Sequence, residues 1–303
     1  MTSAPLPQNL AFERQSAGSS PEAVFEHWFA SVIPFGIRDR VLMAMLTGYF
    51  DESGTDGKSA AVTMGGYVST RRLWMKFERQ WERMLKKHGI SELHMTDLNA
   101  FRREFADRDK WEKIRPSLLN KARRIIHDNT LFGLCAVVSI RDYKALSLDN
   151  KPGTSRALYA KLYDLCGTQC VIGVARWARR AKVKQNLIEY VFERPPKGMR
   201  HQLDGSLEIA KNDPIARESF YLLDWDFKDK RTKKQPHGLI QLNAADILAN
   251  QTCQVIADSP KGIKADILRP SLKLLIRAQD KTLLYFDKRN LPELFALEAL
   301  RRK

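Results

Sequence analysis

Hydrophobic runs divide the chain into strands and helices from about residue 46 onward. LTGYFDE is typical of a buried strand, and AAVTMGGYVS follows it after a short link, SGTDGKS, that contains Asp56-Gly57. A parallel crossover needs about a dozen residues or more, so a link this short indicates an antiparallel hairpin. The sequence therefore predicts that the main domain opens with a hairpin.

Helices and strands then alternate along the chain. Apolar residues at helical spacing predict helices over about 70–87, 108–129, 155–182 and 237–258. Short apolar runs predict three further strands, in LFGLCAVVSI, NLIEYVFE and SFYLLDWDF. SELHMTDLNA is interpreted as a short strand or a loop. Such alternation after an opening hairpin predicts an α/β fold, with a mixed sheet covered by helices.

Composition indicates three regions. Residues 1–45 are predicted to be an N-terminal extension, partly disordered and with one helix, residues 46–258 the main domain, and residues 259–303 a basic, mainly helical tail. No apolar run has membrane-spanning length, and MTSAPLPQNL has neither the basic nor the apolar region of a signal peptide. The four cysteines include no CxxC pair, which favours free thiols in a reducing cytoplasm.

The charge balance favours a polyanionic partner. The chain has 51 Lys and Arg against 35 Asp and Glu, a net charge of +16, and nucleic acid is the usual partner of so basic a protein. Solvated helix faces and loops are the alternative for each basic cluster, and a homo-oligomer is compatible with the sequence. The residues predicted to contact phosphates are Arg72, Lys76, Arg79 and Arg83 on the first helix, and Lys228, Lys230, Arg231, Lys233 and Lys234 before the last one.

Acids stand in apolar surroundings at two strand ends and on one helix. Asp51 and Glu52 end the first strand, Glu193 ends NLIEYVFE, and Asp246 lies in LNAADILAN. If the two strands are parallel neighbours, their acids emerge at one edge of the sheet, where Asp246 could reach them. Converging carboxylates repel one another, and a divalent cation relieves that repulsion. Singly, each acid could instead be a turn residue or a member of a surface ion pair.

Carboxylate oxygens favour Mg²⁺ or Mn²⁺, and two such ions close together are known machinery for phosphodiester cleavage. FDESGT is also similar to the DxDxT signature of phosphatases that form a phosphoaspartate. Two observations count against that alternative. Ser53 replaces the second acid of the signature, and a second strand follows where those folds have a helix.

YFDESGT, ELHMTDL, LIEYVFE and LNAADILA, in this order, resemble the family called domain of unknown function 3800. The resemblance covers about Leu46 to Asp258. It implies an RNase H-like fold and metal-dependent nuclease activity. Carried over by motif, it implies that the metal ligands are Asp51, Glu193 and Asp246, supported by Glu52.

The resemblance also singles out two further positions. His94 matches a histidine of the family and could transfer a proton or contact phosphate, the alternative being a structural histidine. Asn243 stands where the family usually has glutamine. The predicted function is an Mg²⁺- or Mn²⁺-dependent nuclease acting on DNA or RNA, in a defence or mobile-element context. The alternatives are a non-catalytic nucleic-acid-binding or interaction protein on the same fold and a small-molecule phosphatase.

Overall fold

The computed structural model describes residues 45–146, 155–184, 188–231, 238–257, 282–288 and 290–292. Its helices are α1 (Arg71–His88), α2 (Met95–Ala100), α3 (Arg108–Asn129), α4 (Ile140–Ala145), α5 (Ser155–Arg180), α6 (Arg200–Asn212), α7 (Pro214–Ser219) and α8 (Leu242–Ala257), with a 3₁₀ turn at Arg103–Phe105. Its strands are β1 (Leu46–Ser53), β2 (Ala61–Thr70), β3 (Phe132–Ser139), β4 (Ile188–Glu193), β5 (Leu222–Lys228) and β6 (Thr282–Phe286).

The strands form one six-stranded mixed sheet in the order β5-β4-β1-β2-β3-β6. β1, β2 and β3 pair antiparallel in succession, whereas β4 lies parallel to β1 and β5 parallel to β4. β6 pairs with β3 in parallel. The predicted architecture, a mixed sheet that opens with an antiparallel hairpin and is flanked by helices, is confirmed.

Both faces of the sheet are covered by helices, so each carries its own apolar core. α5 packs on β2 and β3, and its core includes Phe50 and Phe192 from the neighbouring strands. On the other face α8 packs on β1 and β2, and α1 packs on α3. The predicted stripe of α1 is confirmed, because Trp74, Phe77, Trp81 and Leu85 are all buried. These two layers leave the carboxyl ends of β1, β4 and β5 at one edge.

Several elements differ from the sequence prediction. SELHMTDLNA contains a helix, α2, too short to show a periodic pattern. α6 was not predicted, because Gly205 and polar residues obscure the spacing of its buried Leu203, Leu207 and Ala210. The segment predicted as a mainly helical tail contributes β6, a strand that exists by pairing with β3. The N-terminal extension to residue 44 lies outside the described residues.

Two predictions from composition can be compared with the structure. All four cysteines are buried and free. Within the part of the chain that the structure describes, no helix combines the length and the apolar character needed to cross a membrane.

Candidate metal centre

Three adjacent parallel strands deliver charged residues to the same edge of the sheet. The register of β1 and β4 pairs Phe50 with Phe192, and the residues that follow are Asp51 and Glu193. β5 lies parallel beside β4, and Lys230 comes two residues after its last residue. Ligands commonly bind outside the carboxyl ends of such strands. The predicted convergence of Asp51 and Glu193 on this edge is thus met by the fold.

Gly65 allows α8 to approach this edge closely. It is the partner of Asp51 on β2, and a Cβ built on it would lie 2.9 Å from the backbone nitrogen of Ala249. Thr63 strengthens the same contact, because its Oγ1 donates a hydrogen bond to the carbonyl oxygen of Ala249 at 3.1 Å. Asp246, one turn earlier on α8, is therefore brought to the end of β1.

The acids form a compact cluster. Asp51, Glu52 and Glu193 each offer an oxygen that lies within 4.8 Å of the others. Asp51 and Asp246 are buried, and Asp246 Oδ2 accepts a hydrogen bond from the Met95 backbone N–H at 2.9 Å. Glu52, predicted as a supporting residue, thus lies directly beside Asp51 and Glu193. Asp246 also fixes the start of α2 through its hydrogen bond with Met95.

Lys230 lies inside this cluster. The sequence placed it in an exposed loop that contacts phosphates, but only 7% of its side chain is exposed. Its Nζ is 2.6 Å from Asp51 Oδ2, 3.1 Å from Glu193 Oε2 and 3.6 Å from Asp246 Oδ2. The phosphate contact predicted for Lys230 stays a prediction, and in this structure its ammonium lies among three carboxylates. Only the pairing of β5 with β4 shows this, since nothing local to FKDKRTKK distinguishes one lysine from the others.

Burial and mutual repulsion perturb the titration of these groups. Burial, together with Glu193 and Asp246, raises the pKa of Asp51 well above its usual range, although Lys230 opposes the rise. Burial and the charge of Glu193 raise the pKa of Glu52 to about 7. Burial acts in the same direction on Glu193, but there Lys230 and a hydrogen bond with Asp51 prevail and lower its pKa. The ammonium of Lys230 has its pKa raised by Asp246, Asp51 and Glu193 against the effect of burial.

One lysine does not satisfy all the carboxylate oxygens. Asp51 Oδ1 and Glu52 Oε2 are buried and have no hydrogen-bond partner among the described residues. A buried polar atom without a partner costs about 1–3 kcal/mol, and more when it is charged. Hard oxygen ligands of this kind are what a divalent cation binds. The donor set therefore fits a metal ion, and the cluster could hold one.

The cluster is part of the lining of a cavity of about 940 Å³. His94 also lines it, half-exposed, and its Nδ1 lies 2.9 Å from Asp97 Oδ2. Asp97 is in turn held by Arg103 at 3.3 Å. His94 precedes α2 directly, so the hydrogen bond from Met95 to Asp246 fixes it beside the acids. The structure thus brings together all five residues predicted for the site.

The other predicted basic residues divide into separate groups. Arg72, Lys76, Arg79 and Arg83 are exposed on α1. Lys228 lies in β5, with its Nζ 2.6 Å from Asp226 Oδ2, and Arg231 pairs with Glu82 of α1 at 2.6 Å. Lys233 and Lys234 lie outside the described residues. The described part of this segment therefore does not form a single basic loop, because Lys228 lies in a strand and Lys230 and Arg231 pair with acids.

Asn243 lies at the start of α8 rather than at the acids. Its side-chain amide donates to the carbonyl oxygen of Ile240 at 2.9 Å, and the residue is buried. Gln241 instead donates to Glu78 of α1, so this end of α8 is tied to the helix layer.

No protein-family model and no curated protein sequence matches the chain. Among solved structures, the complex of PCNA with RNase HII from Archaeoglobus fulgidus is similar at 14% identity, over 77% of this chain and 87% of that one, with a TM-score of 0.33. A likeness this distant carries no argument about the site or its activity. The family named from the sequence motifs therefore stays a prediction.

Proposed function

We propose that this chain is a metal-dependent nuclease that hydrolyses phosphodiester bonds of nucleic acid with Mg²⁺ or Mn²⁺. The observation that carries the proposal is the cluster of Asp51, Glu52 and Glu193 at the carboxyl ends of β1 and β4, which lines a cavity together with Asp246 of α8 and keeps two buried oxygens without a partner among the described residues. Four converging acids are costly to fold without a cation, so their presence favours a function for them. The sequence resemblance to the domain of unknown function 3800 family points the same way.

The residues divide by role. Asp51, Glu52 and Glu193 would hold the ion, which when bound supplies Lewis-acid polarisation of phosphate and a more acidic water. Asp97 orients the His94 ring through Nδ1, which leaves Nε2 to move a proton at the cavity. Asp246 positions His94 through the Met95 N–H. The acids themselves carry no affinity for a polyanion, so substrate binding falls to the cation and to basic residues elsewhere.

Nucleic acid is the proposed substrate because of the charge of the whole chain. A net charge of +16 favours a polyanion over a small phosphate ester, and four exposed basic residues on α1 offer phosphate contacts. The cytoplasmic location and the defence or mobile-element context likewise stay predictions from the sequence.

Cleavage of labelled DNA and RNA, single- and double-stranded, with Mn²⁺, with Mg²⁺ and with EDTA tests the proposal. We expect metal-dependent cleavage that falls to background in Asp51→Asn. The matched control is Asp224→Asn. Asp224 lies on β5, accepts a hydrogen bond from Lys211 Nζ at 3.0 Å and does not line the cavity, so this variant should keep its activity. Full activity in folded Asp51→Asn would refute the assignment. An aryl phosphate turned over in place of nucleic acid would indicate the phosphatase instead.

A non-catalytic nucleic-acid-binding protein on the same fold is the second candidate. Lys230 is the observation that favours it, because its ammonium already offsets part of the acidic charge without a metal. That candidate predicts salt-sensitive binding that persists in EDTA, with no product on any substrate of the panel.

A further inference from the structure

We propose that the site takes one divalent ion and that the ammonium of Lys230 serves as its second, fixed cation. The inference rests on the proposed function, since it assumes that the acids bind a metal. It assigns Lys230 to the reaction centre and assigns Glu52, rather than Asp246, to the metal.

The first argument is that the ammonium of Lys230 already lies among three carboxylates. Nζ donates a hydrogen bond to Asp51 Oδ2 at 2.6 Å, and it lies at ion-pair distance from Glu193 Oε2, at 3.1 Å, and from Asp246 Oδ2, at 3.6 Å. A divalent ion held by the same three oxygens would need the place that this nitrogen occupies. The ion and the ammonium therefore either exclude each other there or use different oxygens.

The second argument is that different oxygens exist. The ammonium uses Oδ2 of Asp51, while Oδ1 of the same carboxylate and Oε2 of Glu52 have no partner among the described residues. The three acids whose oxygens lie within 4.8 Å of one another are Asp51, Glu52 and Glu193. Asp246 is not in that set, and its Oδ2 is already engaged by Met95 and Lys230. Asp51 thus offers one oxygen to each cation.

The third argument is that the backbone holds Lys230 in place. Residue 230 forms a parallel bridge with Leu239, in which Arg231 N donates to Leu239 O at 3.2 Å and Leu239 N donates to Asp229 O at 2.9 Å. Gly238 packs on this bridge so closely that a Cβ there would lie 2.4 Å from the Lys230 carbonyl oxygen. This backbone pairing keeps the Lys230 side chain at the acids, whereas a lysine on an unpaired loop could move away from them. Withdrawing its main chain to admit a second metal would break these bonds.

Binding of Mn²⁺, measured by isothermal titration calorimetry on the whole chain, tests the inference without any turnover. We expect one ion per chain for the wild type. Glu52→Gln and Asp246→Asn each remove one negative charge, which makes them a matched pair. We expect Glu52→Gln to weaken Mn²⁺ binding by about tenfold or more relative to Asp246→Asn, because only Glu52 would contact the ion.

Lys230→Met is the second test of the inference. This variant keeps an unbranched side chain and frees the carboxylate oxygens that the ammonium contacts, so we expect it to bind two ions per chain. Two ions on the wild type, or a loss in Asp246→Asn as large as that in Glu52→Gln, would overturn the inference and assign Asp246 to the metal. If Lys230→Met does not fold, the matched pair still decides. No Mn²⁺ binding by the wild type would overturn the proposed function itself, and this inference with it, whereas one bound ion without cleavage of any substrate would refute only the nuclease.

Discussion

Replacing Gly65 by alanine tests whether close packing of α8 creates the site. The new Cβ would lie 2.9 Å from the backbone nitrogen of Ala249, 3.0 Å from Leu248 Cγ and 3.2 Å from Ala249 Cα. Carbon atoms in favourable contact lie about 3.5–4.0 Å apart, so α8 must move by roughly 0.5 Å or more. Two of the three neighbours are backbone atoms, which no change of rotamer can move aside. The helix as a whole must therefore give way.

The loss of stability can be estimated from the cost of overpacking in other protein cores. An extra carbon in a well-packed core costs about 1–3 kcal/mol. For a domain of this size we expect a fall in Tm of roughly 2–12 °C, measured by thermal melts followed by circular dichroism in EDTA. Because Asp246 lies on the displaced helix, the rate of metal-dependent cleavage should fall as well.

Gly205→Ala is the matched control. Gly205 lies inside α6, and nothing is within 4 Å of the Cβ that it would gain. Alanine is more favourable than glycine in a helix by about 0.5–1 kcal/mol, so this variant should be slightly more stable than the wild type. A Gly65→Ala chain as stable and as active as the wild type would refute the packing argument, and with it the account of how Asp246 reaches β1.

Three further predictions concern the site and its substrate. Mn²⁺ at 100 times its dissociation constant should add about 2.7 kcal/mol to the free energy of unfolding, measured by urea melts, and Asp51→Asn should lose this increment. His94→Ala should lower kcat by about 100-fold or more with unchanged Mn²⁺ affinity, whereas His127→Ala, exposed on α3, should keep wild-type kcat. Equal activity of the two histidine variants would remove His94 from the mechanism. The third prediction concerns duplex DNA binding in EDTA, measured as the slope of log affinity against log salt concentration. Replacing Arg72, Lys76, Arg79 and Arg83 together by glutamine should make this slope less steep by roughly 3 to 4. An unchanged slope would show that α1 does not contact phosphate.

The sequence determined much of the local structure of this chain. The short link after β1 allowed only a hairpin, and the spacing of Trp74, Phe77 and Trp81 fixed the buried face of α1. Asp51 and Glu193 were recognisable because each follows an aromatic residue, Phe50 or Phe192, near the end of a mainly apolar run. Such features depend on residues a few positions apart along the chain. Periodicity and turn length are therefore sufficient to predict them.

Tertiary structure alone decided how the elements meet. β6 is a strand because β3 offers it a partner, and Gly65 acts through a helix more than 180 residues further along the chain. Lys230 was one basic residue among several until the parallel pairing of β5 with β4 placed its ammonium among the acids. Burial then gave that lysine a different role from its neighbours, because a charge removed from water must be met by opposite charge. The sequence therefore indicated which acids would meet at this edge of the sheet, whereas the cation that accompanies them was determined by the register of distant strands.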